Sequence, residues 1–165
     1  MKLIFIRGLP GSGKSYVAES LTSKLENCAY VKVDDFKLGY MKSGASIPDS
    51  RRLAYAKTIS ELQRLQKQKK DYVVVEELMC DPDFVRDLQN FARKTNSQSY
   101  WFRLKRSLTR LLETESRRDR RVKNSLDDFR KLEEDIGSCP VEGEIIVENN
   151  SDNQTAIKQI LERVR

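Results

Sequence analysis

Gly8-Leu-Pro-Gly-Ser-Gly-Lys-Ser15 is the stretch whose residue types and spacing specify chemistry most directly, because it satisfies G-x-x-x-x-G-K-[ST] at every fixed position. Glycines at 8, 11 and 13 open backbone conformations closed to other residues, so successive N–H groups can converge on phosphate oxygens where a helix begins. Lys14 adds a point charge for the β- and γ-phosphates, and the Ser15 hydroxyl is an oxygen ligand of the kind Mg²⁺ takes. A glycine turn that merely opens a helix accounts for the glycines but not for Lys14 and Ser15 at these offsets. The expected nucleotide cradle is therefore Gly8, Pro10, Gly11, Ser12, Gly13, Lys14, Ser15 and Tyr16, with ATP and Mg²⁺ as the species bound.

Two further clusters supply what phosphoryl transfer needs. Val33-Asp34-Asp35-Phe36-Lys37 reads as the end of a second strand, and ligands of open α/β sheets sit beyond the carboxyl ends of the strands. Asp34 is there the candidate to take the proton from an attacking hydroxyl, with Asp35 on the acceptor side. Val73-Val-Val-Glu-Glu77 runs into a pair of carboxylates. Glu77 is expected with Ser15 at Mg²⁺ and Glu76 at the acceptor, although which of the two faces the site is open at this stage. Arg117-Arg-Asp-Arg-Arg121 is the candidate cationic clamp: on a continuous helix Arg117 and Arg121 share one face, and guanidinium forks suit phosphate oxygens. A solvated helix with Glu113, Glu115 and Asp119 as partners is the competing reading.

These groups need elements to position them, and the hydrophobic pattern supplies strands alternating with helices. Apolar runs fall at 3–6, 29–33, 72–76, 100–104 and 144–147, with helix-length polar segments between, the pattern of a parallel sheet. Val73 to Val75 are consecutive β-branched residues, as in an interior strand covered on both faces. Helices are expected at 14–25 and 51–69, the latter with Leu53, Ala56, Ile59, Leu62 and Leu65 as its buried stripe. Asp81-Pro82 marks a helix start, Ser125 with Asp128 and Ser151 with Gln154 resemble capping boxes, and Gly137 can close the helix that begins near Ser125.

Composition narrows the class. The chain has 165 residues, a length for one domain at roughly 100 to 200 residues each. Having no histidine, it cannot build a Ser-His or Cys-His nucleophile or an imidazole zinc site. No N-K-x-D stretch is present to read guanine. The net charge of +6 is uneven, with 9 basic against 3 acidic residues between 101 and 123, which favours an anionic partner. Three widely spaced cysteines fit neither a disulfide framework nor a metal clip, and no apolar run suggests a signal peptide or a membrane span. A cytoplasmic protein without a structural metal is expected.

The opening Arg7-Gly-Leu-Pro-Gly-Ser-Gly-Lys-Ser15, the Asp34-Asp-Phe-Lys37 after the second strand and the arginines after the fourth together resemble the small phosphate-loop kinases related to the polynucleotide 5′-kinases. Zeta toxins and chloramphenicol phosphotransferases are similar but more distant. The resemblance spans nearly the whole chain. It implies one α/β P-loop kinase domain over residues 1–165: a five-stranded parallel sheet flanked by helices, with a short arginine-rich lid at roughly 113–124. The implied activity is ATP- and Mg²⁺-dependent transfer of the γ-phosphate to a hydroxyl, on a nucleic acid or nucleotide first and a small metabolite or antibiotic as the alternative. An ATP-binding regulatory or nucleic-acid-binding module without transfer would lack Lys14 or Asp34, and both are present. By this resemblance Asp34 is the general base, Lys37 falls where the polynucleotide kinases carry an arginine for the acceptor's phosphate, and Arg117 and Arg121 fall on the lid. The family's Asp-x-Asn after strand three is here Glu77-Leu78-Met79, which keeps the acid and loses the asparagine.

Overall fold

The five apolar runs form β1 (Lys2–Gly8), β2 (Cys28–Lys32), β3 (Tyr72–Glu76), β4 (Gln98–Lys105) and β5 (Ile145–Glu148). In the computed structural model, which describes residues 1–119 and 123–165, they pair in parallel as one sheet in the order β2-β3-β1-β4-β5. Between them run α1 (Lys14–Lys24), α2 (Val33–Lys42), α3 (Ile47–Lys67), α4 (Pro82–Lys94), α5 (Leu108–Ser116), α6 (Leu126–Gly137) and α7 (Asn153–Val164).

Strand alternation sorts the core into two layers. Leu3, Phe5, Val73, Val75 and Trp101 face α3 and α4 through Ala54, Leu62, Phe84 and Leu88. Ile4, Ile6, Val74 and Phe102 face α1 and α7 through Val17, Leu21, Ile157 and Ile160. Val73, Val74 and Val75 are all fully buried, as a strand covered on both faces requires. A smaller cluster of Leu9, Leu111, Phe129 and Ile136 ties α5 and α6 to the phosphate loop.

The structure moves several expected boundaries. Residues 33–37 are not the end of a strand: α2 starts at Val33 directly after β2, and Asp34 and Asp35 occupy its first turn, where carboxylates complement the helix dipole. The third helix starts at Ile47, capped by Ser46, whose hydroxyl accepts from the Asp49 N–H. Its buried stripe is Ser50, Ala54, Thr58, Leu62 and Leu65, leaving Ala56 exposed. Ser50 and Thr58 can lie inward because their hydroxyls donate back to the carbonyls of Ile47 and Ala54. Asp152 rather than Ser151 caps α7, accepting from the Thr155 N–H. The Asp81 cap with Pro82, the Ser125–Asp128 capping box and the end of α6 at Gly137 stand as expected. All three cysteines are free thiols, and no helix among the described residues is long and apolar enough to cross a membrane.

Candidate active site

The phosphate loop is held from behind by backbone contacts that only glycine permits. At Gly8, with φ +144°, a Cβ would stand 2.4 Å from the Leu104 carbonyl oxygen. At Gly13, with φ +94°, it would meet Asn149 Nδ2 and Asn153 Oδ1, each at 2.5 Å. Asn149 lies between β5 and α7 and is 1% exposed. Its amide donates to the Ser12 carbonyl at 2.7 Å and to Asn153 Oδ1 at 2.6 Å. Arg106, just after β4, donates through Nη1 to the Gly11 carbonyl at 3.0 Å and through Nε to the Asn149 carbonyl at 2.9 Å. Gly8 and Ser12 are thus buried supports of the loop, while Pro10, Gly11, Gly13, Lys14, Ser15 and Tyr16 line a cleft of about 600 Å³. The first turn of α1 carries no acidic residue, which leaves its positive end uncompensated where Lys14, Ser15 and Tyr16 line the cleft.

Across that cleft stand Lys32, Asp34, Asp35, Lys37 and Leu38, with Glu76, Glu77 and Leu78 at its base. Lys14 donates to the Leu9 carbonyl at 3.1 Å, and burial pushes its ammonium pKa down against the pull of Glu76, Glu77 and Asp34. Ser15 Oγ donates to Glu76 Oε1 at 2.9 Å, and the Tyr30 hydroxyl donates to Glu76 Oε2. Lys37 Nζ donates to Glu77 Oε1 at 2.5 Å and to Asp34 Oδ1 at 3.2 Å. Burial raises the Glu77 pKa although Lys37 opposes it. Desolvation also pushes Asp34 upward, but Lys37, through charge and hydrogen bond, and Lys14 outweigh it and leave that carboxyl below its ordinary value.

The pairing of the two glutamates is the reverse of the one expected: Glu76 meets Ser15, and Glu77 meets Lys37. Alternation along β3 gives the reason. Val74 faces α1 and Val75 faces α3, so Glu76 follows the α1 side. The Glu77 N–H bonds the Ile6 carbonyl at 3.2 Å, which carries the alternation one residue further and turns Glu77 toward α2. Tyr30, from β2, is a site residue that no sequence motif marks.

The arginines also divide differently. Arg118 lines the cleft, with Nη1 donating to Glu115 Oε2 at 3.1 Å. Arg117 is the exposed C-cap of α5 and lines an adjoining cavity of about 190 Å³ with Arg106, Arg110 and Asn150. Because α5 ends at Ser116, Arg117 stands past the helix on which it was expected to share a face with Arg121. Arg121 lies outside the described residues. Much of the remaining basic stretch is paired, Arg103 with Glu133 at 2.6 Å and Arg110 with Glu113 at 3.1 Å.

The family described as AAA domain matches residues 4–137. No curated protein matches the sequence. Among solved structures, the Deinococcus radiodurans tunicamycin resistance protein superposes with a TM-score of 0.74 at 18% identity, over 99% of this chain and 95% of that one. A gluconokinase from Sinorhizobium meliloti 1021 gives 0.70 at 18% identity, over 99% and 93%. A chain of the Pnkp1/Rnl/Hen1 RNA repair complex gives 0.62 at 19% identity, over 82% of this chain and 44% of that one. At these identities what is shared is the fold, a five-stranded parallel sheet flanked by helices.

Proposed function

This chain belongs to the AAA-domain family, and we propose that it is an ATP-dependent phosphotransferase that moves the γ-phosphate to an acceptor hydroxyl. The observation that carries the reading is that Lys14, the Ser15–Glu76 pair and the Asp34–Lys37 pair face one another across one cleft. On the donor side the loop N–H groups and Lys14 take the β- and γ-phosphates, and Arg106 and Arg118 add guanidinium charge at its edge. On the acceptor side Asp34 has a carboxylate open to the cleft and a lowered pKa, so it is ionised and able to accept a proton at neutral pH. The acceptor oxygen forms its bond to γ-phosphorus as the bond from phosphorus to the β-bridging oxygen breaks. The hydroxyl proton passes to the Asp34 carboxylate, and ADP leaves with the former bond's electrons.

Mg²⁺ fits the donor set, since Ser15 and Glu76 offer hydroxyl and carboxylate oxygens, the ligands a hard cation prefers. Among the described residues no cluster of three or more His, Cys, Asp or Glu could hold a metal alone, so nucleotide oxygens would complete its shell. Bound there, the ion supplies neutralisation of phosphate charge; Tyr30, by holding the second oxygen of Glu76, orients the carboxylate for it. In this reading Arg118 reaches the transferred group, with Arg117 at the adjoining cavity.

Lys32 and Lys37 line the acceptor half beside Asp34 and Asp35, so this wall carries both the cations a nucleic-acid or nucleotide acceptor would use and the carboxylates a small metabolite's hydroxyls would use. Transfer itself is tested with γ-labelled ATP and Lys14→Ala. Losing the loop's own charge is expected to lower kcat by about 10²-fold or more, the scale of one removed transition-state donor. A wild-type rate in Lys14→Ala refutes the reading.

A further inference from the structure

We infer that the acceptor is an uncharged, polyhydroxylated small molecule of the sugar or nucleoside kind, recognised by carboxylates, and not one that presents a phosphate to Lys37. The inference rests on the phosphotransferase reading above. A lysine ammonium has three N–H donors and a compact charge. Two of those donors point at carboxylates, Glu77 Oε1 at 2.5 Å and Asp34 Oδ1 at 3.2 Å. The same Nζ stands 5.6 Å from the centroid of the Tyr55 ring, itself stacked on Phe84. A guanidinium, with five donors in a fork, could hold a carboxylate and a phosphate together; this ammonium has its charge divided between two carboxylates already.

The groups around Lys37 are chiefly hydrogen-bond acceptors. Glu77 is 4% exposed, and its Oε2 is buried with no hydrogen-bond donor among the described residues, the Asp34 carboxyl being close by. A buried carboxylate oxygen without a donor is costly, and a ligand O–H at this point would satisfy it. Asp34 and Asp35 line the same half of the cleft, so an entering phosphate would meet three carboxylates, with Lys32 as the other cation of this wall. Hydroxyl groups would meet the same three as charge-assisted acceptors. Leu38, 53% exposed, and Leu78 add apolar surface suited to the C–H face of a ring. The cations Lys14, Arg106 and Arg118 are gathered on the donor side, where the nucleotide phosphates belong.

The test incubates the full-length chain with γ-labelled ATP and Mg²⁺ against hexoses and polyols, nucleosides, nucleoside 3′-monophosphates and a 5′-hydroxyl oligonucleotide. Label is expected on a neutral acceptor, the sugar and nucleoside arms telling the two sources apart. Its KM is expected to change by less than about twofold between about 50 and 200 mM salt, because no phosphate is neutralised on binding. Glu77→Gln, nearly isosteric, should raise the neutral acceptor's KM by about tenfold or more, the loss of a hydrogen bond to a charged group. The same change should lower the KM of phosphate-bearing acceptors, since Lys37 loses one of its two carboxylates. Asp35→Asn is the second variant, expected to raise the neutral acceptor's KM severalfold without altering that of ATP. Preferential labelling of the nucleotide or oligonucleotide, with a KM that climbs steeply with salt, overturns the inference and leaves the phosphotransferase reading standing. An enzyme that binds ATP and labels nothing in the panel overturns that reading, and this inference with it.

Discussion

Replacing Asn149 separates the phosphate loop from the turn that braces it, and two substitutions of different chemistry make the result diagnostic. Asn149→Ala removes the donors to the Ser12 carbonyl and to Asn153 Oδ1. The first leaves a buried carbonyl without its partner, at about 1–3 kcal/mol; Asn153 is half-exposed and can turn to water, at about 1 kcal/mol. Together that is about 2–4 kcal/mol, and at about 2–4 °C per kcal/mol for a domain of this size Tm should fall by roughly 5–15 °C. Asn149→Asp keeps the shape but sets carboxylate oxygens where the amide donor was, facing the Ser12 oxygen at 2.7 Å and Asn153 Oδ1 at 2.6 Å. Acceptor then opposes acceptor in a site 1% exposed, so aspartate should be worse than alanine although it is the closer isostere. Arg106 still holds the Gly11 carbonyl in both variants, so the loop survives but is less preorganised, and ATP should bind about tenfold more weakly. Urea denaturation gives the stability order and calorimetric titration gives the ATP affinity. An aspartate variant as stable as wild type, with unchanged ATP affinity, would refute the bracing role.

Asp34→Asn should keep ATP affinity and lower kcat by about 10²-fold or more, the usual effect of losing a positioned general base, whereas Asp35→Asn should change kcat far less. The opposite order in single-turnover assays would move the base one residue along α2. Arg118→Ala should lower kcat by about tenfold or more through loss of charge over the transferred group, and Arg117→Ala should do less because its side chain lines the adjoining cavity; equal effects in steady-state kinetics would refute that division. Burial holds Glu77 above its ordinary pKa, so at pH values between the two the folded chain binds more protons than the unfolded one, and this group's contribution to stability falls as pH rises. Glu77→Gln removes that dependence, and its Tm relative to wild type should therefore rise between about pH 5 and about pH 8. A relative Tm that falls over this range would mean that the pull of Lys37 exceeds the cost of burial.

What the sequence made legible was carried by local signals. The loop motif needs eight adjacent residues, and the five strands announce themselves by apolar runs, so neither depends on distant partners. The α2 helix was missed because Val33 continues the apolar run 29–33 while Asp34 and Asp35 read equally as strand end or helix start. Proximity to β2 decided it, with no glycine or proline between to break the chain. Asn149 and Arg106 gave no signal at all. Each acts on a loop 137 and 95 residues away, respectively, and an asparagine after a strand is ordinary turn chemistry until the fold presses Gly13 against it.

The two glutamates are a different case, because their sorting was implicit in the strand. Val73, Val74 and Val75 are buried on alternating faces, so a carboxylate following an α1-facing residue by two must itself face α1. Glu76 therefore had to meet the helix that begins at Ser15, and Glu77 the helix that carries Asp34 and Lys37. Adjacent residues of one type thus serve opposite halves of the cleft, one holding the Ser15 hydroxyl and the other engaging the Lys37 ammonium. Their roles depend on the parity of β3 rather than on any chemical difference between them. One residue inserted between Val75 and Glu76 would shift that parity, turning the carboxylate next to Val75's successor away from Ser15 and leaving the Oγ without its partner. The register of β1 against β3, Phe5 beside Val75 and Ile6 beside Glu76, is in this sense part of the arrangement of the cleft as much as of the core.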